Sequence, residues 1–281
     1  MKRHLGLFAT ATRYALTEHV RNRFAMVLVA VFIPLWTMLA YLVMPDSPAR
    51  MRLRATGQVL APRGNEITEI SGALNAVTLI TGFMMFAATF AGHDFDRRLA
   101  MAGYPRTHLV LAKVAALAVA SAAVSAYATA VTCLIWTPRQ PVLLAVALFS
   151  AAMTYGVLGV AFGAVMRREV EGMFAILMTS IIDLGLQNPV SSSGSDSPVT
   201  RFLPSYGAMQ ASTAAGFSTA DVPGHVAIQL VWFAAAALAG LLAFHRRTRN
   251  ALPPAARPFV PGPRRTARDQ ESVNADPTAA G

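Results

Sequence analysis

Asp183 is the residue whose type and setting most invite a chemical reading. It lies inside the apolar run Gly172 to Leu186, twelve residues past Glu171. At helical rise that is about 18 Å along the axis. An ionisable group at such depth in a membrane faces a cavity, a translocation path or a partner. The competing reading is that the run ends early and Asp183 meets outer water. Gln187 and Asn188 continue this polar end, as path residues or as a helix cap. No catalytic constellation accompanies them. His93, His108, His225 and His245 are far apart in sequence, and neither an HExxH nor a GxSxG motif occurs. Cys133 is the only cysteine, so it reads as a packed thiol and no intrachain disulfide can form. No cysteine or histidine cluster suggests a metal site.

The elements that must position these groups follow from composition. The 281 residues are 54% hydrophobic and 14% charged, where a soluble globular protein carries roughly 25% charged residues. The apolar residues are gathered in runs of membrane-crossing length. The expectation is an all-α integral membrane protein with six transmembrane helices, at about 24–44, 70–92, 109–136, 141–166, 172–188 and 226–244. Residues 1–249 form the transmembrane domain, and 250–281, rich in Pro, Ala and Arg, form a disordered tail. The first run is too long for the h-region of a signal peptide.

Ahead of the first span, Leu5, Phe8, Ala9, Thr12, Ala15, Leu16 and Val20 recur at helical spacing, which predicts an amphipathic helix lying in the interface. Pro34 predicts a kink in the first span. Arg50 to Glu69 reads as a polar loop. Gly159 and Gly163 form a G-x-x-x-G pair in the fourth span, where small residues let helices approach closely. Between the fifth and sixth spans, Arg201 and Tyr206 suit either a gate or interfacial anchors, and anchors are the favoured reading. In the second span Phe83, Met84, Phe86 and Phe90 form a pliable apolar stripe. It suits either a path for an apolar cargo or ordinary bundle packing.

Orientation follows from counting lysines and arginines. With the amino terminus inside, eighteen fall on the inner side and six on the outer, which favours both termini in the cytoplasm. The net charge of +10 is therefore read as topology rather than as affinity for nucleic acid.

That orientation makes the segment His93 to Lys113 cytoplasmic. Asp94, Asp96, Arg97 and Arg98 open it. Leu99, Met101 and Tyr104 are apolar handles on a short helix. Gly103 and Pro105 stop that helix, and Arg106 restarts the chain. Charge on one side and apolar anchors on the other suit docking in a groove of a soluble partner. A plain solvated loop whose arginines set topology is the other reading.

The whole plan resembles the type-2 ABC transporter permease family. The shared features are the interfacial amino-terminal helix, six spans, both ends inside, and a charged coupling helix between spans two and three, here DFDRRLAMAGYPRTHLVLAK. The short fifth span followed by a re-entrant-like outer hairpin, here NPVSSSGSDSPVTRFLPSYGAMQAST, is also similar. The similarity covers Met1 to about Arg249. Where many members have a Gly- and Glu-rich coupling motif, this chain has Asp-Phe-Asp-Arg-Arg. The resemblance implies a bacterial plasma-membrane exporter subunit that is not itself an enzyme and binds no cofactor. It would dock a separate ATP-consuming subunit through Asp94, Asp96, Arg97, Arg98, Gly103, Tyr104, Pro105 and Arg106. It also implies a second permease chain, identical or a sister, with a path for a hydrophobic or amphipathic drug, antibiotic or lipid-like cargo. Consistent with a separate ATPase, the only lysines are Lys2 and Lys113, and neither follows the glycine-rich turn that a P-loop needs. An ion-gradient-driven transporter or another self-contained polytopic protein is the alternative. The first of these calls for repeats and several intramembrane carboxylates, and the sequence offers Asp183 alone.

Overall fold

In the computed structural model the chain is a bundle of α-helices. The structure describes residues 2–54, 56–92, 98–99, 101, 103–104, 106–195 and 197–249. The helices are α1 (Lys2–Arg21), α2 (Arg23–Val43), α3 (Gly64–Ala91), α4 (Arg106–Ile135), α5 (Pro141–Val165), α6 (Glu169–Gln187), α7 (Tyr206–Phe217) and α8 (Pro223–Arg249). A 3₁₀ turn at Pro198–Phe202 precedes α7. Among the described residues, α2, α3, α4, α5 and α8 are long and apolar enough to cross a membrane. The chain is an all-α, multi-pass membrane protein.

The central helix is α3. It is buried over most of its length and packs against α2, α4, α5, α6 and α7. Its closest neighbour is α5, because the glycine ridge of α5 faces it. A Cβ on Gly159 would overlap the backbone carbonyl of Gly82, and one on Gly163 would come within 3.0 Å of the Phe86 carbonyl. The G-x-x-x-G pair is thus consumed in packing within the chain. Gly156, one turn earlier, is covered by the Leu117 side chain of α4.

Several boundaries differ from the sequence expectation. The helix expected from Ile70 begins at Gly64. Asn65 accepts the Glu66 backbone N–H at 2.9 Å, and Glu66 adds negative charge to the first turn, where the helix dipole favours it. The polar loop is correspondingly shorter. It carries a two-stranded antiparallel ribbon, β1 (Met51–Arg52) with β2 (Val59–Leu60), in the register Met51 to Leu60. The fifth apolar run extends to a 19-residue helix, α6, by taking in Glu169 and Glu171 at its start. Cys133 is exposed rather than packed, because α4 turns that face outward. Tyr206 is buried against the His225 ring rather than placed at a surface, because α7 is enclosed along nearly its whole length.

Pro34 is accommodated inside an unbroken α2. Proline has no N–H to give the carbonyl four residues back, so Ala30 loses its helical donor. The Tyr127 hydroxyl of α4 donates to the Ala30 carbonyl at 3.0 Å. In lipid an unpaired carbonyl is costly, and this bond joins the two helices at the defect.

The α3–α5 contact sets an expected outcome. Gly159→Ala forces two backbones apart and costs about 1–3 kcal/mol, the range for overpacking. Gly185→Ala, with open space around its position, is neutral or slightly stabilising. Thermal midpoints of the purified variants in one detergent check the contrast.

Candidate functional site

Two regions gather the residues that carry chemistry. One is the end of the bundle where α3 stops and α4 starts. The other is a polar seam within the bundle, toward the opposite end.

At the first end, Asp94, Asp96, Arg97 and Pro105 lie outside the described residues. Arg98 and Met101 are exposed, the latter by 68%. Leu99 and Tyr104 are half-buried. The Tyr104 N–H donates to the Leu99 carbonyl at 3.0 Å, and Gly103 between them has φ +85°. That is the left-handed conformation glycine adopts without penalty, and it closes the turn. Arg106 opens α4. Leu99 and Tyr104 border a cavity of about 440 Å³, whose other walls come from α1, α3 and α4.

The amino-terminal helix α1 docks on α4 with a face that includes Ala15 and half-buried His19. A second face carries half-buried Phe8 and Leu16 and the 66% exposed Val20. Burial and the nearby Lys113 ammonium both hold the His19 imidazole below its ordinary pKa.

The polar seam is built by α3, α5, α6, α7 and α8. Asp183 of α6 is 1% exposed. Its carboxylate accepts the Tyr155 hydroxyl at 2.6 Å, the Gln187 amide at 2.7 Å and the Ser205 backbone N–H at 2.9 Å. Those donors come from α5, α6 and the turn before α7. Gln187, 6% exposed, also reaches Ser205 Oγ at 3.0 Å, while its own Oε1 is buried without a partner. One layer away, Asn75 Nδ2 donates to Ser180 Oγ at 2.9 Å, and Thr78 Oγ1 lies 2.8 Å from the same atom. Gln229 of α8 donates to Thr154 Oγ1 at 2.7 Å and to the Pro204 carbonyl at 2.9 Å, and accepts the Ala208 N–H at 3.0 Å. Asp183 therefore meets neither outer water nor an open cavity within the chain.

The aromatic stripe of α3 is separate from Asp183. Phe86 is wholly buried, stacked on Phe90 at 5.6 Å between ring centres, and packed with Phe83 against Ile176. A Cβ on Gly172 would overlap the Phe86 ring. Met84 faces α1 and α2. The Phe cluster thus touches the start of α6, while Asp183 and Gln187 occupy its last turns.

Sequence reasoning missed Glu69. It reads as the end of a polar loop, yet it is 0% exposed. It accepts the Thr132 hydroxyl at 2.9 Å and the Trp136 indole N–H at 2.8 Å. Thr132 lies in the last turn of α4 and Trp136 just past its end, where the Trp136 N–H still bonds the Thr132 carbonyl, so the two donors four apart fall on one side. That spacing was the available signal, but nothing in it names Glu69 as the acceptor. Gln229 and Asn75 were missed similarly, as isolated polar residues in apolar runs. Among the described residues no group of three His, Cys, Asp or Glu is placed to hold a metal ion. No protein-family model matches the chain, and no curated protein matches it.

Two outcomes follow from this geometry. Tyr155→Phe costs about 1–3 kcal/mol, since it removes a bond to a buried charged acceptor, and Asp183→Ala costs more because three donors lose their acceptor. The double variant loses less than the sum, by about 0.5–3 kcal/mol. Detergent unfolding of the four proteins tests this, and strict additivity would remove the Tyr155–Asp183 bond from the account. For His19, a depressed folded-state pKa means the unfolded chain takes up protons first as pH falls below 6.5. The stability of the α1–α4 contact is thus complete above that value and lost on acidification. The hydrogen-exchange protection of α1, corrected for the intrinsic pH dependence of amide exchange, falls below pH 6.5 in wild type and much less in His19→Gln.

Proposed function

We propose that this chain is the membrane-spanning permease subunit of an ATP-driven exporter resembling the type-2 ABC class. In this reading six helices cross the bacterial plasma membrane: α2, α3, α4, α5, α6 and α8. Both termini lie in the cytoplasm, and α1 lies in the interface. Its partly exposed Phe8–Leu16–Val20 face is the kind of surface that enters the headgroup region.

The observation that carries the proposal is the break between α3 and α4. Two core spans are joined there by a short segment that exposes Arg98 and Met101 and turns Leu99 and Tyr104 toward α1. An exposed methionine beside charge is a handle for a groove in a soluble partner. Leu99 and Tyr104 would convert movement of that handle into movement of α1, α3 and α4. A separate P-loop ATPase is the proposed partner, gripping Asp94, Asp96, Arg97, Arg98, Gly103, Tyr104, Pro105 and Arg106. Switching of the ATPase pair would gate a path between this permease and a second one. Since Asp183 is satisfied within the chain, its part in that path is to hold α6 and the α7 turn in register. Gln187 shares this role. Phe83, Met84, Phe86 and Phe90 are the apolar groups that shape the path for a hydrophobic or amphipathic cargo.

Co-purification in mild detergent with the ATPase encoded nearest to this gene tests the proposal, comparing wild type with Arg97→Glu/Arg98→Glu. Wild type retains the ATPase and the variant loses it, with monodispersity unchanged. Failure of wild type to retain any ATPase would favour a self-contained membrane protein.

A further inference from the structure

Between α3, α4, α5 and α8 lies a slot of about 470 Å³. It exists because α8 is held closely at only one end. Near Pro223 the Gln229 side chain bonds into the bundle, and Gly207 of α7 touches the backbone of α8 at His225. Farther along, a Cβ on Gly240 would lie at only ordinary contact distance, 3.6 Å, from Ala161. The slot walls run from Leu109 to Leu117 on α4 and from Phe233 to Leu241 on α8, about 12 Å on each helix.

All of the lining is apolar except Thr89 and Lys113. Both stand toward the end where α3 stops and α4 starts. The Thr89 hydroxyl is buried with no hydrogen-bond partner. By contrast Thr81, Thr129, Thr154 and Thr179 each donate to the carbonyl four residues before. Lys113 also borders the second cavity, of about 440 Å³, together with Tyr14, His19 and Glu18, the one acid in that lining. Neither α4 nor α8 contains an acidic residue.

We propose that the slot binds an anionic phospholipid, with one acyl chain between α4 and α8 and the phosphate held by Lys113 and Thr89. The apolar walls match an acyl chain in chemistry and line about 12 Å of its length. A lysine midway along the α4 wall, a hydroxyl lacking a partner and the adjoining cavity, with space for a headgroup, meet where the slot borders that cavity. Basic pockets between spans select anionic headgroups in this way. The inference is independent of the transport reading, because it requires no ATPase and no second permease.

The test uses the full chain in mild detergent, titrated with phosphatidylglycerol, phosphatidylcholine or inorganic phosphate, and read by native mass spectrometry and thermal midpoint. Wild type retains phosphatidylglycerol about five-fold more tightly than phosphatidylcholine, the worth of one lysine beside an anionic headgroup. Lys113→Gln abolishes that preference while still retaining lipid. Ala237→Phe, which fills the slot, loses both lipids with an unchanged lipid-free midpoint. Val114→Phe does the same from the opposite wall and serves where Ala237→Phe fails to fold. Retained preference in Lys113→Gln, or wild-type lipid retention in a folded slot-filling variant, would overturn the proposal. So would inorganic phosphate raising the midpoint as much as phosphatidylglycerol.

Discussion

A carboxylate enclosed in an apolar bundle must find its donors within the protein, because lipid offers none. Asp183 meets that requirement with a phenol from α5, an amide from α6 and a backbone N–H from the turn before α7. Each donor comes from a different part of the chain, so the one charge fixes how three parts meet. Gln229 repeats the device for α8, bridging α5 and the Pro204–Ala208 turn. Glu69 repeats it between α3 and α4. Apolar packing is nearly indifferent to rotation of one helix against another in lipid, where tails are as apolar as leucine. The directional bonds supply the register that packing leaves open.

Glycine acts on a different quantity, the distance between helices. The Gly159 and Gly163 ridge brings α5 against the α3 backbone near Gly82 and Phe86. Close backbones gain dispersion contacts, the main attractive term between helices in a bilayer. The bundle therefore has a tight centre, α3 with α5, and a looser periphery at α2 and α8, whose outward faces stay exposed. The slot beside α8 is a product of that gradient: the helix is fixed by directional bonds at one end and only lightly packed at the other.

The two ends of the bundle are built differently. Toward the α7 end, α7 and its preceding turn are folded into the bundle and hydrogen-bonded to it. The Gln140 side chain, for example, donates to the Ser218 carbonyl at 2.8 Å. At the α1 end, α1 and the Leu99–Tyr104 turn rest on α4 around a cavity.

Much of this was legible in the sequence. Long apolar runs dictate helices because a membrane leaves backbone groups no other partner, and the small-residue ridge identified the close-packed face of α5. Gly103 marked the turn that leads into α4, since glycine tolerates positive φ. Other features required the tertiary structure. Residue type alone left Asp183 balanced between outer water and the interior, and burial against Tyr155 decided it. Glu69 read as a loop residue because its acceptors' partners, Thr132 and Trp136, lie more than sixty positions away. Pro34 announced a defect in α2, but only the fold could place Tyr127 beside the carbonyl it frees. Periodicity and composition are local and survive in one dimension. The pairing of a buried polar group with its donor is not local, and it was settled only when the helices met.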